Sequence, residues 1–224
     1  MTKTFTDNHL CSCRGNKTCA LCVFCEAYNT SDGRKALCEK ISRFLVLVPF
    51  YQRALGRVMG KLFPDKVVYD DQKDICTMLF EALLFEDRSG KMTPLAYFVE
   101  RAVLADAEKR LYEAWRDHTR YGFFVVEKIV PGREVHLSDL AGRNRYCVYE
   151  AKGTARMQDG MVIIARIVPF LKGWMITTEM VPSWSGSEAR EHVRDKYGEG
   201  ISQFAFTQEY LVENDRRMAI GNGS

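Results

Sequence analysis

A chain of 224 residues, 46% hydrophobic and 27% charged, has the composition of a folded globular protein, long enough for one good core and a small satellite unit. That balance excludes a disordered chain, and the longest apolar run, Phe44 to Tyr51 with Pro49 inside it, is too short to span a bilayer. The net charge of +3 excludes a strongly polycationic protein, but the charge is uneven: residues 1–61 carry 10 Lys and Arg against 4 Asp and Glu, residues 62–120 carry 9 against 12, and the rest 13 against 13.

Met1 to Leu10 has no apolar h-region, so the chain reads as cytoplasmic. In that reducing setting its eight cysteines are not expected to pair, and a metal becomes the better account of their clustering. Residues 1–34 form a predicted cysteine-rich, turn-rich module with Cys11, Cys13, Cys19, Cys22 and Cys25, followed by Cys38. A unit this small has no core of its own and would need the metal to fold. Structural zinc takes four Cys or His ligands in a tetrahedron. Cys11-x-Cys13 and Cys22-x2-Cys25 are two suitable pairs, and Arg14 to Leu21 between them give the chain length to return to one ion. Gly15 and Asn16 supply the left-handed turn conformations of such a loop. The simplest assignment is Zn2+ held by Cys11, Cys13, Cys22 and Cys25, with Cys19 and Cys38 as alternative ligands. An iron–sulfur site is the competing reading, because Cys19-x2-Cys22-x2-Cys25 has ferredoxin spacing, with Cys38 or Cys13 as the fourth ligand. The Cys-Pro that ordinarily ends that run is missing here.

Residues 35–120 read as helical. Leu37, Ile41, Phe44, Leu45 and Val48 share one face, Pro49 breaks the run, and Phe50 to Leu62 resumes it. Asp70 to Phe85 gives a second helix with an acidic start. After the Asp87-Arg88-Ser89-Gly90 turn, Thr93 offers a cap and Pro94 the favoured first position of a helix that carries Leu95, Phe98, Val99, Leu111 and Trp115. Residues 121–182 change character. Short β-rich runs at Phe123 to Val130, Glu134 to Leu140, Tyr146 to Glu150, Met161 to Val168 and Trp174 to Thr178 alternate with glycine punctuation. About five such strands with one buried face curl into a small barrel or bent sheet. Residues 183–224 return to helix, with Ser187 as a cap, Gly198 as a stop, and an amphipathic stretch from Phe204 to Met218.

Recognisable catalytic motifs do not occur: there is no phosphate-binding glycine loop, G-x-S-x-G or H-E-x-x-H. His9, His118, His136 and His192 are scattered, and Cys76 and Cys147 read as inert core residues. Asp139 reads as a turn residue binding its own backbone. Arg166, inside an apolar strand, needs a partner, and Glu150 on a neighbouring strand is the expected one. Trp174 and Trp184 read as core.

Cys11-Ser-Cys13, eight residues and then Cys22, with Gly15 and Lys17 in the loop, resembles the SEC-C motif, the zinc module named for the C-terminus of the SecA translocation ATPase. Val23 stands where that motif has its fourth ligand, so Cys25 would serve instead. A longer likeness runs through Leu84-Phe85-Glu86-Asp87, Thr93-Pro94-Leu95, Val130-Pro131-Gly132-Arg133, Leu137-Ser138-Asp139-Leu140, Val148-Tyr149-Glu150 and Ala165-Arg166-Ile167-Val168-Pro169. This order is similar to the body of uncharacterised bacterial SEC-C-containing proteins, and the resemblance implies a metal-binding protein without a known reaction. The expectation is therefore an α+β chain: a zinc module, a helical middle, a compact antiparallel β domain of about five strands, and C-terminal helices. Its expected role is that of a non-enzymatic adaptor meeting protein or nucleic acid through the basic cysteine-rich end, with an iron–sulfur or reactive-thiol redox protein as the alternative.

Overall fold

The computed structural model describes residues 19–62, 73–88, 91–177, 183–198, 201–203 and 205–210. Cys11 and Cys13, the expected helix start at Asp70, and the helix positions Leu211 and Met218 lie outside them. The chain runs through helices α1 (Ala20–Ala27), α2 (Ser31–Leu45), α3 (Pro49–Leu62), α4 (Lys73–Glu86), α5 (Pro94–Arg101) and α6 (Asp106–His118). Strands β1 (Arg120–Val130), β2 (Glu134–Asp139), β3 (Arg145–Tyr149), β4 (Val162–Phe170), β5 (Gly173–Ile176) and the two-residue β6 (Ser183–Trp184) follow. Helix α7 (Ala189–Tyr197) and a helical segment at 205–210 end the described chain.

Local chemistry sets the helix boundaries. The Thr30 hydroxyl accepts from Gly33 N at 3.0 Å to cap α2, and Gly33 is required because a Cβ there would stand 2.8 Å from the Tyr28 carbonyl oxygen. Pro49 opens α3, so the break expected at that proline is present. The Thr93 hydroxyl accepts from Ala96 N at 3.3 Å to cap α5, with Pro94 as its first residue. Two expectations are corrected. Residues 20–27 are helical rather than turn-rich, and Leu21 and Cys25 on α1 are buried in the helical core. The helix expected to run from Leu95 to Trp115 is two helices, broken between Arg101 and Asp106. A straight helix would carry its C-terminal half past the core. The break brings Phe98 of α5 against Tyr112 of α6, ring centres 5.0 Å apart and edge to face, and leaves Val103 in the connection 99% exposed.

The five strands close. Going round, the order is β1-β2-β3-β5-β4, and β4 pairs back with β1. The barrel is mixed: β3 and β5 run parallel, through Val148↔Trp174 and Tyr149↔Met175, and the other seams are antiparallel. β6 pairs with β4 at Val162↔Trp184 and Ile163↔Ser183, adding a short extra strand. β1 reaches both its neighbours by bending. It pairs with β4 over Arg120 to Val125 and with β2 over Phe124 to Val130, with a register shift between Val126 and Lys128.

Inside the barrel lie Phe124, Val126, Val135, Leu137, Tyr146, Val148, Ile163, Ala165, Ile167 and Trp174. Tyr146 stands edge to face between Phe124 and Trp174, at 5.5 and 5.4 Å. β4 is buried on both faces, which its unbroken apolar run Val162-Ile163-Ile164-Ala165 foreshadows. Its outward Val168 and Phe170 join the core of α2, α5 and α6, and its outward Val162 and Ile164 pack under α7 and Phe206. Trp115 of α6, fully buried, donates its indole N–H to the Pro169 carbonyl at 2.9 Å and fastens the helical layer to β4. Trp174 and Trp184 are both packing residues.

The parallel seam depends on a residue without a side chain. A Cβ on Gly173 would stand 2.5 Å from the Cys147 carbonyl oxygen and 3.1 Å from the Tyr149 ring. We expect Gly173→Ala to lower the unfolding free energy by about 1–3 kcal/mol through this overlap. Urea denaturation followed by tryptophan fluorescence checks it, and an unchanged midpoint would mean that β5 does not approach β3 this closely.

Candidate functional site

Three groups of chemistry-bearing side chains stand out, and the fold places each for a different reason. The first is at the start of α1. Cys19 is the N-cap residue and Cys22 lies one turn on, which brings their sulfurs to 3.7 Å. None of the described cysteines is in a disulfide. Cys25, another turn along, is fully buried in the helical core with Leu21. Cys38, on α2, is half-buried, and its thiol lies 4.0 Å from the Thr177 carbonyl oxygen. Of the four ligands predicted from spacing, Cys22 and Cys25 are thus on one short helix, and Cys11 and Cys13 lie outside the described residues.

The second group surrounds Arg166, whose guanidinium is 3% exposed on the outer face of β4. Its partner is Glu86 at the end of α4, at 2.6 Å, rather than the expected Glu150. Glu150 instead accepts from Gly153 N at 2.8 Å and faces Arg34. Arg166 also donates to the Gln203 side-chain oxygen from Nε and Nη2, at 3.0 and 2.8 Å, and lies 4.4 Å from the centre of the Phe85 ring and 5.1 Å from that of Tyr121. Gln203 in turn donates to Glu81, which also accepts from the Thr177 hydroxyl. The Tyr121 hydroxyl is buried beside this group with no hydrogen-bond partner among the described residues, and burial, then the Glu81 carboxylate, push its pKa far up. Glu86 also borders a groove of about 680 Å³ between α3 and α4, lined in part by Ala54, Arg57, Phe85 and Arg88. Arg166 is a fully engaged charge, and the arrangement joins barrel, α4 and the C-terminal helix rather than presenting a reactive group.

The third group lies on the outside of the β2–β3 hairpin. The antiparallel register sets His136 directly across from Cys147, and Glu134 is two residues along on the same face. Their ligand atoms all lie within 4.8 Å of one another, and among the described residues no other set of three or more His, Cys, Asp and Glu is this close. His136 Nε2 is 3.2 Å from Glu134 Oε1. Burial, and next the Glu134 carboxylate, push the Cys147 thiol up to about 11, so it is a neutral thiol at neutral pH. Composition and spacing give no sign of this trio, because eleven positions separate His136 from Cys147 and only strand register unites them. The alternation Glu134-x-His136 within a strand was the one available signal.

Asp139 behaves as a turn residue. Its carboxylate accepts from Arg143 N at 2.6 Å and from Asn144 N at 3.0 Å.

Fold and sites together define an α+β protein built on a closed, helix-flanked mixed β-barrel, in which no helix among the described residues is long and apolar enough to cross a membrane. The chain belongs to a family of unknown function, DUF7986, whose model matches residues 31–202. No curated protein and no solved structure matches it. The matched stretch contains the barrel, Arg166 with Glu86 and Glu81, and the β2–β3 trio; it begins after Cys25 and ends one residue before Gln203.

Removing Arg166 would take the guanidinium from Glu86, which keeps the Gln203 backbone N–H, leave the Gln203 side-chain oxygen short of its partner and remove a packed cation. We expect Arg166→Met to destabilise the protein by about 3–5 kcal/mol, the magnitude for breaking a buried pair from one side. The double change Arg166→Met with Glu86→Leu should recover part of that loss. Chemical denaturation of the three proteins decides it: equal stability of the single variant and the unaltered chain would remove Arg166 from its structural role.

Proposed function

We propose that this chain is a non-enzymatic zinc-binding adaptor, in which a metal-ordered N-terminal segment contacts a protein or nucleic acid and the helical and barrel parts are its scaffold. The observation that carries this reading is the Cys19–Cys22 sulfur pair, 3.7 Å apart at the first turn of α1. Two thiolates one helical turn apart supply half of a tetrahedral zinc site at a spacing close to that between neighbouring ligands of one ion. Cys11 and Cys13, six or more residues upstream, are the natural second half. We take Cys19 in preference to Cys25 because its sulfur already stands 3.7 Å from that of Cys22, while Cys25 is fully buried in the helical core. The favoured ligand set is therefore Cys11, Cys13, Cys19 and Cys22.

The iron–sulfur alternative would draw on the same turn, since Cys19, Cys22 and Cys25 follow one another at i, i+3 steps at the start of α1. Anchoring through Leu21 and Cys25 would hold such a zinc segment rigidly on α6 and α2. The excess of Lys and Arg over residues 1–61 suits an acidic or phosphate-bearing surface. A thiolate site of this kind also fits a reducing, cytoplasmic setting.

Elemental analysis of protein purified without added metal tests the reading. Zinc is expected, with Cys19→Ser and Cys22→Ser each lowering it by about one equivalent. Cys25→Ser should leave zinc content unchanged while costing about 1–3 kcal/mol of stability through a buried hydroxyl. Zinc lost with Cys25→Ser but kept with Cys19→Ser would restore the ligand set read from spacing. Iron with acid-labile sulfide would replace the adaptor reading by a redox one. Direct binding of a DNA or RNA probe that weakens steeply with rising salt would identify the partner as nucleic acid.

A further inference from the structure

We infer that Glu134, His136 and Cys147 form a second, independent site for a zinc-class transition metal on the outer face of the β2–β3 hairpin, with one coordination position left open. The three side chains bring one carboxylate, one imidazole and one thiol to within 4.8 Å of one another. Those are the three ligand types that zinc accepts, and the sulfur and nitrogen donors turn the preference away from calcium and magnesium. Ligands of one tetrahedral ion at about 2.0–2.3 Å stand about 3.3–3.8 Å from each other. The Glu134 to His136 separation is already 3.2 Å and no pair of the three ligand atoms is more than 4.8 Å apart, so closing on an ion asks any two of them to approach by at most about 1.5 Å.

The positions are preorganised. His136 and Cys147 are cross-strand partners in an antiparallel ladder, and Glu134 is on the same strand as His136, so the ladder's own hydrogen bonds hold the three Cα atoms. All three side chains are half-buried, which lowers the local dielectric but leaves a path for the ion. Glu134 presents its two oxygens to different neighbours: Oε2 lies 3.6 Å from Arg133 Nε and Oε1 faces His136. The arginine thus occupies the oxygen that the metal does not need, and steadies the carboxylate that it does. On binding, the Cys147 S–H bond breaks, the sulfur forms its bond to the ion, and the proton passes to solvent. Three protein ligands leave a fourth tetrahedral position for water or an outside donor, the arrangement found in reactive rather than purely structural zinc sites.

This site does not use the N-terminal cysteines, so its test separates from theirs. Cobalt(II), as a visible stand-in for zinc, is titrated into the metal-stripped full-length chain, and into Cys19→Ser/Cys22→Ser protein. The double variant should still take up about one equivalent, with a thiolate-to-cobalt absorption band, and should melt at a higher temperature with the metal than without it. Adding His136→Gln should abolish both the uptake and the thermal shift, and Cys147→Ala should remove the absorption band first of all. In the otherwise unchanged chain, His136→Gln alone should cost about one equivalent while the melting temperature without metal stays the same. Uptake that is the same with His136→Gln and Cys147→Ala as without them, in either background, would reduce the trio to a hydrogen-bonded surface group. Loss of cobalt with Cys19→Ser but not with His136→Gln would overturn this site and leave the N-terminal one standing.

Discussion

A guanidinium buried on the outer face of the central strand is the constraint around which the rest is arranged. β4 has no solvent-facing side: its inward residues fill the barrel and its outward residues are the floor of two separate helical layers. Arg166 sits between those layers, and a charge in that position is tolerable only when every donor is used. Glu86 from α4, Gln203 from the C-terminal helix and the Thr119 hydroxyl accept from its three nitrogens, and the faces of Phe85 and Tyr121 lie against it. The cost of desolvating one arginine is in this way converted into a directional requirement that α4, the barrel and the 203–210 region take up one mutual arrangement. An apolar residue at the same place would pack, but it would not specify orientation.

How far the sequence could be read follows from how local each determinant is. The β-branched and aromatic residues of Phe123 to Val130, Glu134 to Leu140 and Tyr146 to Glu150 mark strands, and Thr93-Pro94 marks a helix start, because both signals are complete within a few residues. The continuous apolar run of β4 even announces a strand covered on both faces. Closure of the barrel was half legible: five strands with a buried face must curl, but nothing in the chain states that β3 and β5 run parallel. The break between α5 and α6 has no glycine or proline to mark it, and the Phe98–Tyr112 contact that it permits joins residues fourteen positions apart. A charge inside an apolar strand needs a partner, and a neighbouring strand is the nearest place to expect one. The true one is eighty positions away on a helix, beyond any local pattern.

The same distinction explains the sites. Clustered cysteines are conspicuous as letters, but only the fold brings the Cys19 and Cys22 sulfurs to 3.7 Å and buries Cys25 completely. The β2–β3 trio is the opposite case. Its members are unremarkable in the sequence and become a group only through a strand register that pairs His136 with Cys147. The family match covers this second group and not the first, so the two have separate standing as features of the fold.

The parallel seam has a bearing on motion. It is the shortest of the five that close the barrel, with two paired positions, whereas β1 and β2 share six. A barrel fails at its narrowest seam, so amide protons along β3 and β5 should exchange with solvent sooner than those of β4, through openings that leave the β1–β2–β3 meander intact. Because Glu134, His136 and Cys147 all lie on one side of that seam, they would keep their mutual distances while the barrel breathes. The trio is mounted on a panel that swings as one piece, and Gly173, which lets the panel shut, is the point at which it meets the frame.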